Sequence, residues 1–330
     1  MKNSNPLISF CLIAYNQEQY INASIEGAFS QTYSPLEIIL SDDGSSDKTF
    51  EIMQEMTANY KGPHKIILNK NQKNIGLAAH FNEVIERAQG DFIVMADGDD
   101  ISSPERTEII ANDWLNSNYN KQVLYHSGWR NIDAKSVYLS ELTEPYYQNA
   151  VLNNPIEFLK QGAYALGATL AFPKSLYTYY GPMNTGIYNQ DTIMTFRASL
   201  LDGIILIKKC LVDYRNGVGL GWVNTTGVSK EAKIKFKLKH ARHYYYTYLQ
   251  HLNDYYKSNY KSDKVEKFIR KGINNKEALM FGFENNFFKV ISNLSKFLLK
   301  GISFNIAVYI SLFSFFKSFG TNRVPNFLLR

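Results

Sequence analysis

The strongest constraint on this chain lies in its first 125 residues, where apolar runs of strand length alternate with segments of helical period. Leu7–Ala14 is a continuous apolar run. Gln19–Thr32 follows with Ile21, Ile25, Ala28 and Phe29 at helical spacing, then a second short run, Leu36–Leu40. After a polar turn, Phe50, Ile52, Met53 and Met56 mark another helix, and Lys65–Leu68 reads as a third strand. Leu77–Ala88 carries Phe81, Val84 and Ile85 on one helical face, Asp91–Ala96 is a fourth strand, and Pro104 stands where it favours a helix's first turn. Strands alternating with helices imply βαβ units and a parallel sheet covered on both faces, which is why its strands are apolar throughout. From Val123 to about Gly227 the pattern is mixed, as expected of shorter strands and loops completing a site.

Charge divides the chain. The net charge of +6 is the sum of residues 1–229, at −7, and residues 230–330, at +13. We therefore expect a domain at 1–229, with halves at about 1–115 and 116–229, and a basic helical region at 230–330. Hydrophobic residues at 45% exclude a disordered chain, and two cysteines, Cys11 and Cys210, exclude a disulfide scaffold or a cysteine-built zinc site. Lys2 followed by Leu7–Tyr15 superficially resembles an export signal, but no small-residue cleavage site follows, and the run reads as a buried first strand. A cytoplasmic body is expected.

In an open α/β sheet, ligands sit beyond the carboxyl ends of the strands. Two such ends are acidic: Ser41-Asp42-Asp43-Gly44-Ser45-Ser46-Asp47 and Asp97-Gly98-Asp99-Asp100. Carboxylates crowded there repel one another unless a cation lies between them, and Mg²⁺ or Mn²⁺ binds through one or two carboxylates plus substrate phosphates. The first cluster also reads as plain turn chemistry with a helix cap. The second fails as a calcium loop, because Ile101 and Ser102 stand at its fifth and sixth positions. Neither a Gly-x-Gly-x-x-Gly nor a Walker loop is present, which removes the main support for dinucleotide redox chemistry and ATP hydrolysis.

An ordered set of short motifs carries a resemblance. Ala14-Tyr15-Asn16, Ser30-Gln31-Thr32-Tyr33, Leu36-Glu37-Ile38-Ile39 running into Asp42-Asp43-Gly44-Ser45-Ser46-Asp47, Asn74-Ile75-Gly76, Asn82, and Gly90-Asp91-Phe92-Ile93 leading to Asp97-Gly98-Asp99-Asp100 follow one another. Gly167-Ala168, Asn189-Gln190-Asp191, Arg197 and Asp213-Tyr214-Arg215 continue the order more weakly. The set resembles glycosyltransferase family 2, inverting enzymes with a GT-A fold: a Rossmann-like, mostly parallel α/β sheet flanked by helices, here with a C-terminal helical extension.

The resemblance implies roles. Ala14, Tyr15, Asn16 and Asp43 would hold base and ribose, with Asn74 and Gly76 in the same nucleotide-sugar site and Asp42 supporting the turn. Asp97 and Asp99 would hold ribose and a divalent metal, Mn²⁺ or Mg²⁺, with Asp99 the direct ligand. Asp191 aligns with the catalytic base; its neighbour, usually Glu, is Gln190 here, and the rival reading of Asp191 is a helix cap. Gly167, Arg197 and Arg215 would lie on the acceptor and diphosphate side. Many members carry a metal-binding His after the Tyr-Arg pair; here Asn216-Gly217-Val218-Gly219 follows instead. His80, His126, His240, His243 and His251 do not fit that position and read as structural or surface residues.

Residues 230–260 read two ways: Lys233–Lys239 alternates like a strand inside helical surroundings. Residues 281–330 hold 11 of the 21 Phe, six Lys and Arg and one acidic residue. Asn285–Lys300 and Ile302–Phe319, separated by Gly301, predict two amphipathic helices, about 285–319, suited to an anionic membrane surface. The uncharged run Gly301–Phe316 falls just short of a span, packing against the catalytic domain or a second subunit is the alternative, and no nucleic-acid motif appears. The expectation is an enzyme, a peripheral hexosyltransferase on the cytoplasmic face of the plasma membrane. It would move sugar from a UDP-hexose or UDP-N-acetylhexosamine to a lipid-linked or oligosaccharide acceptor in surface-polysaccharide (O-antigen or capsule, lipopolysaccharide) synthesis. Two rivals are a sugar-nucleotide pyrophosphorylase, which needs a glycine-rich triphosphate loop missing here, and an idle nucleotide-sugar-binding scaffold.

Overall fold

The computed structural model describes residues 5–142, 153–162, 165–218, 228–325 and 328–329. The chain divides into two compact units, Met1–Trp222 with Ser258–Tyr260, and Val223–Lys257 with Lys261–Arg330.

In the first unit the predicted alternation is realised: β1 (Ile8–Ala14), α1 (Ile21–Phe29), β2 (Leu36–Asp42), α2 (Thr49–Asn59), β3 (Lys65–Lys70), α3 (Leu77–Arg87) and β4 (Phe92–Asp97). Every residue of β1 and β2 is buried, as continuous apolar runs require of strands covered on both faces. Then come β5 (Ile101–Ser102), α4 (Arg106–Asp113), β6 (Leu124–Ile132), β7 (Tyr138–Leu142), α5 (Pro155–Gln161), β8 (Ala171–Pro173), α6 (Lys174–Tyr180), α7 (Gln190–Ser199) and β9 (Ile204–Arg215). The sheet runs β3-β2-β1-β4-β8-β6-β9-β5, with β7 beside β6. Its β3-β2-β1-β4 half is parallel. The other half is mixed: β8 runs antiparallel to β4 and β6, and β9 parallel to β6.

Two buried side chains brace this frame. Gln31, at the end of α1, donates to the Gly27 and Ser103 carbonyls and accepts from the Thr107 amide and hydroxyl at 3.0 and 2.6 Å. Asn82 on α3 exchanges hydrogen bonds with both main-chain groups of Met183, at 2.8 and 2.9 Å. Both lie in the ordered motif set, and both do structural work.

The second unit is helical: α8 (Lys230–Lys257), α9 (Asp263–Glu284), α10 (Phe287–Leu299) and α11 (Phe304–Ser318). The strand-like alternation at Lys233–Lys239 is overridden. Only Ile234, Leu238 and Ala241, at helical spacing, join the core, and Phe236 between them is left exposed. The Asn286 side chain caps α10 through the Lys289 amide, and Gly301, with φ +78°, separates the last two helices. One expectation needs correction. Helix α11 is apolar along much of both faces, because two of its serines turn to the packed side: the Ser311 and Ser314 hydroxyls donate back to the Ala307 and Ile310 carbonyls. Among the described residues no helix is long and apolar enough to cross a membrane.

Candidate active site

Parallel pairing sets Ala14 opposite Asp42 and Ile13 opposite Asp97, so three strands end at one level. The turns beyond them interlock, with the Asp43 amide donating to Ala14 O and the Gly98 amide to Ile13 O, each at 2.9 Å. Asp42, fully buried, accepts from the Ser45 amide at 2.9 Å and from the Ser45 hydroxyl, and so builds the turn as expected. Asn16, with φ +53°, takes the Ser46 amide on Oδ1 at 2.9 Å and donates its own amide to Ser45 Oγ at 2.8 Å. Asn is among the few residues that enter this region readily.

Asp43, expected at the base and ribose, is anchored within the protein. It is 2% exposed, and both carboxylate oxygens are engaged by the protein: Oδ1 by Asn71 Nδ2 and the Ile75 amide, Oδ2 by the Gly76 amide, at 2.9, 3.0 and 3.1 Å. Its carboxylate shapes the Asn71–Gly76 loop, which carries exposed Asn74. Gly44 requires its φ of +70° and its missing side chain alike, because a Cβ would stand 2.5 Å from the Lys73 backbone. Tyr15 is half-buried at the same rim.

The acidic loop after β4 is electrostatically loaded. Burial first, then Asp99 and Asp191, push the Asp97 carboxyl up to about 7. Burial raises Asp99, which is steadied by its own backbone, by Arg215 and by a Gln17 side-chain hydrogen bond. Asp100 is raised well above its ordinary value by burial, Asp99 and Asp97. Beneath them lies Arg106, fully buried, donating to Ser102 Oγ and Met95 O at 2.8 Å each. Among the described residues no three His, Cys, Asp or Glu side chains form a ready cation site. The donors are all carboxylate oxygens, the set that suits Mg²⁺ or Mn²⁺ with substrate and water oxygens completing the shell.

Gly98 lets this loop close on β1: a Cβ there would stand 2.3 Å from Gln17 Oε1 and 2.7 Å from Ala14 Cβ. Gly98→Ala is therefore expected to cost about 1–3 kcal/mol of stability, read as a lower urea midpoint with unchanged slope.

The candidate base arrives from the other half of the sheet. Asp191 lies in the first turn of α7, half-buried, and Gly167 packs against it: a Gly167 Cβ would be 3.2 Å from Gln190 Nε2 and 3.8 Å from Asp191 Oδ2. Asp191 Oδ1 accepts from the Thr192 amide at 2.7 Å, but Asp191 lies inside α7, whose N-cap is Asn189, so it is not the helix cap. Among the described residues Oδ2 has no hydrogen-bond partner. Burial pushes this carboxyl up to about 6, against the Thr192 hydrogen bonds that lower it, and its charge is felt at Asp97. Gln190 is buried, which leaves Asp191 the one carboxylate of the pair.

Arg197 and Arg215, expected on the diphosphate side, are instead 0% and 2% exposed. Arg197 stacks over the Tyr180 ring at 5.2 Å. Arg215 sits over Tyr20 at 4.7 Å, donates to Asp99 O, Asp133 O and Ser136 Oγ, and gives its amide to Asp100 Oδ1 at 2.7 Å. It fastens the acidic loop from behind. Arg106, Gln17 and Tyr20 were not singled out by sequence; for Arg106 the available signal was a lone cation close after the acidic run. Gly219 lies outside the described residues.

Residues 9–171 match the family model for glycosyl transferase family 2. A putative glycosyltransferase, EpsE of Bacillus subtilis, is 42% identical over 106 residues, 32% of this chain and 37% of that protein. The chondroitin synthase of Escherichia coli is 35% identical over 109 residues, 33% of this chain and 15% of that protein. These alignments span well under two thirds of each relative's length. Among solved structures, S. aureus TarS 1–349 in complex with UDP-GlcNAc superposes with a TM-score of 0.55 at 15% identity, covering 97% of this chain and 82% of that one. The mannosyltransferase PcManGT of Pyrobaculum calidifontis, in complex with GDP-Man and Mn²⁺, gives 0.53 at 15% identity, covering 94% and 79%. The fold is GT-A, and residues 9–171 form a glycosyltransferase family 2 domain.

Proposed function

We propose that the chain is an inverting glycosyltransferase that moves a hexose or N-acetylhexosamine from a UDP-linked donor to a hydroxyl of a lipid-linked or oligosaccharide glycan, in surface-polysaccharide synthesis at the cytoplasmic face of the plasma membrane. The observation that carries the reading is Asp191 Oδ2, unbonded and half-buried, on a carboxylate whose charge reaches the acidic strand end at Asp97. A carboxylate so placed can take the proton of an acceptor hydroxyl as that oxygen attacks the anomeric carbon from the face opposite the diphosphate. The C–O bond to the diphosphate breaks as the new glycosidic bond forms, and one displacement inverts the centre. Gln190 supplies no second carboxylate nucleophile for a double displacement.

Asp97 and Asp99 are the residues that would hold a Mn²⁺ or Mg²⁺ ion, whose positive charge would offset that of the departing diphosphate. Donor recognition is supported by the structural neighbours, TarS in complex with UDP and with UDP-GlcNAc and PcManGT in complex with GDP-Man. The interlocked turns at Ala14–Asn16 and Asp43–Gly76 form the rim for such a base and ribose.

Thermal shift with a panel of UDP-glucose, UDP-GlcNAc and GDP-mannose, with and without Mn²⁺, tests the reading. One donor with Mn²⁺ at about 100 times its Kd is expected to raise Tm by roughly 5–10 °C. Asp97→Asn and Asp99→Asn should each remove the Mn²⁺-dependent part. A panel in which neither donors nor Mn²⁺ shift Tm would overturn the reading.

A further inference from the structure

Helix α11 presents a stripe that the fold leaves uncovered. Phe304, Val308, Leu312, Phe315 and Phe319 are 74%, 41%, 41%, 39% and 59% exposed. At 3.6 residues per turn they fall within a sector of about 80° and span about 22 Å along the axis. The opposite side, with Ala307, Ile310 and Phe313, is buried in the second unit's core. The stripe continues onto α10: the Phe315 ring lies 5.2 Å from Phe319 and 5.3 Å from Phe287, which lies 5.8 Å from Phe288, itself 79% exposed. Exposed aromatic residues in one continuous ladder exceed the scattered apolar residues of an ordinary surface. Lys289 and Lys296 are exposed on α10, and by helical spacing they flank the apolar sector.

We propose that this ladder is a lipid-docking surface, lying in the headgroup–acyl boundary of an anionic bilayer with Lys289 and Lys296 at the phosphates. Charge complementarity selects this occupant. Residues 281–330 carry six basic side chains and one acidic, and that one, Glu284, is paired with Arg242. A second copy docked face to face would set lysine against lysine, whereas anionic lipid meets them with phosphate. The long lysine stems let the ammonium groups reach the headgroups while the rings sit deeper. The surface belongs to α10 and α11 alone, so it stands or falls independently of the proposed reaction.

Flotation of the full chain with vesicles tests it without reference to activity. Binding to phosphatidylcholine vesicles containing phosphatidylglycerol is expected to exceed binding to pure phosphatidylcholine by at least about tenfold, and to weaken in high salt. Phe304→Ser, Phe315→Ser and Phe319→Ser combined should abolish binding to both. Lys289→Gln and Lys296→Gln should each cut only the anionic preference, by about fivefold. Because the substituted side chains are exposed, circular dichroism and Tm should stay near wild type. Absence of flotation with anionic vesicles overturns the proposal. So does a lipid-free dimer dispersed by the same Phe→Ser changes, which would assign the ladder to a second copy.

Discussion

Asp191→Asn is expected to lower turnover of the donor by about 10²–10⁴-fold, measured as UDP release from the UDP-sugar that binds. The substitution is close to isosteric, and Asn Oδ1 can still accept the Thr192 amide, so the start of α7 is preserved. What is lost is the proton acceptor at Oδ2. Donor binding, read by thermal shift, should therefore survive.

The pH profile separates a base from a brace. Burial holds the Asp191 carboxyl near 6, and only its ionised form can accept a proton. In the wild type, kcat/KM should fall about tenfold per pH unit below about 6, and this limb should be missing from the residual rate of the variant. Stability should move the opposite way. A carboxyl whose folded pKa is raised from 3.8 to about 6 costs stability increasingly as pH rises through that window. Asp191→Asn removes this cost, so its Tm should exceed the wild type's at pH 8 and the gap should close below about pH 4. Turnover within tenfold of wild type would remove Asp191 from the mechanism.

The parts of this site legible in sequence are those fixed by local pattern. Continuous apolar runs announce strands buried on both faces, and parallel pairing then brings their polar ends to one level, so Ala14, Asp42 and Asp97 meet without any side-chain detail. The candidate base, Asp191, was legible only through an ordered resemblance, because α7 reaches the site from the mixed half of the sheet, where runs are short. Long cations were the least legible. Arg197 and Arg215 are spaced as diphosphate ligands would be, yet both point into the protein, and nothing local to either records the Tyr180 or Tyr20 ring that receives it. The last helix misled for a related reason: on a wheel its serines mark a polar face, but a serine hydroxyl can satisfy itself on the backbone and pack inward.

The largest stability effect is expected at Arg106, which no motif marks. Its guanidinium is fully buried, donates to Ser102 Oγ and to the Met95 and Leu170 carbonyls, and is the cation beneath Asp97 and Asp100. Burial lowers its pKa to about 10, still well above neutrality, so it stays charged where the enzyme works. Arg106→Met fills similar volume but leaves two carbonyls and two buried carboxylates without it. Removing one partner from a buried charged network costs about 3–5 kcal/mol, which in a domain of this size is a fall in Tm of roughly 6–20 °C. Two contributions can be separated. Asp100→Asn keeps an acceptor for the Arg215 amide while removing one of the stranded charges. If charge dominates, Arg106→Met with Asp100→Asn should recover about 1–3 kcal/mol over Arg106→Met alone, because the two sites share one network. If the double variant is no more stable than the single one, the loss lies in the carbonyls of Met95 and Leu170. Arg106 would then be the bolt joining β4 to the turn before β8, and the acidic loop would owe its place to hydrogen bonds rather than to charge.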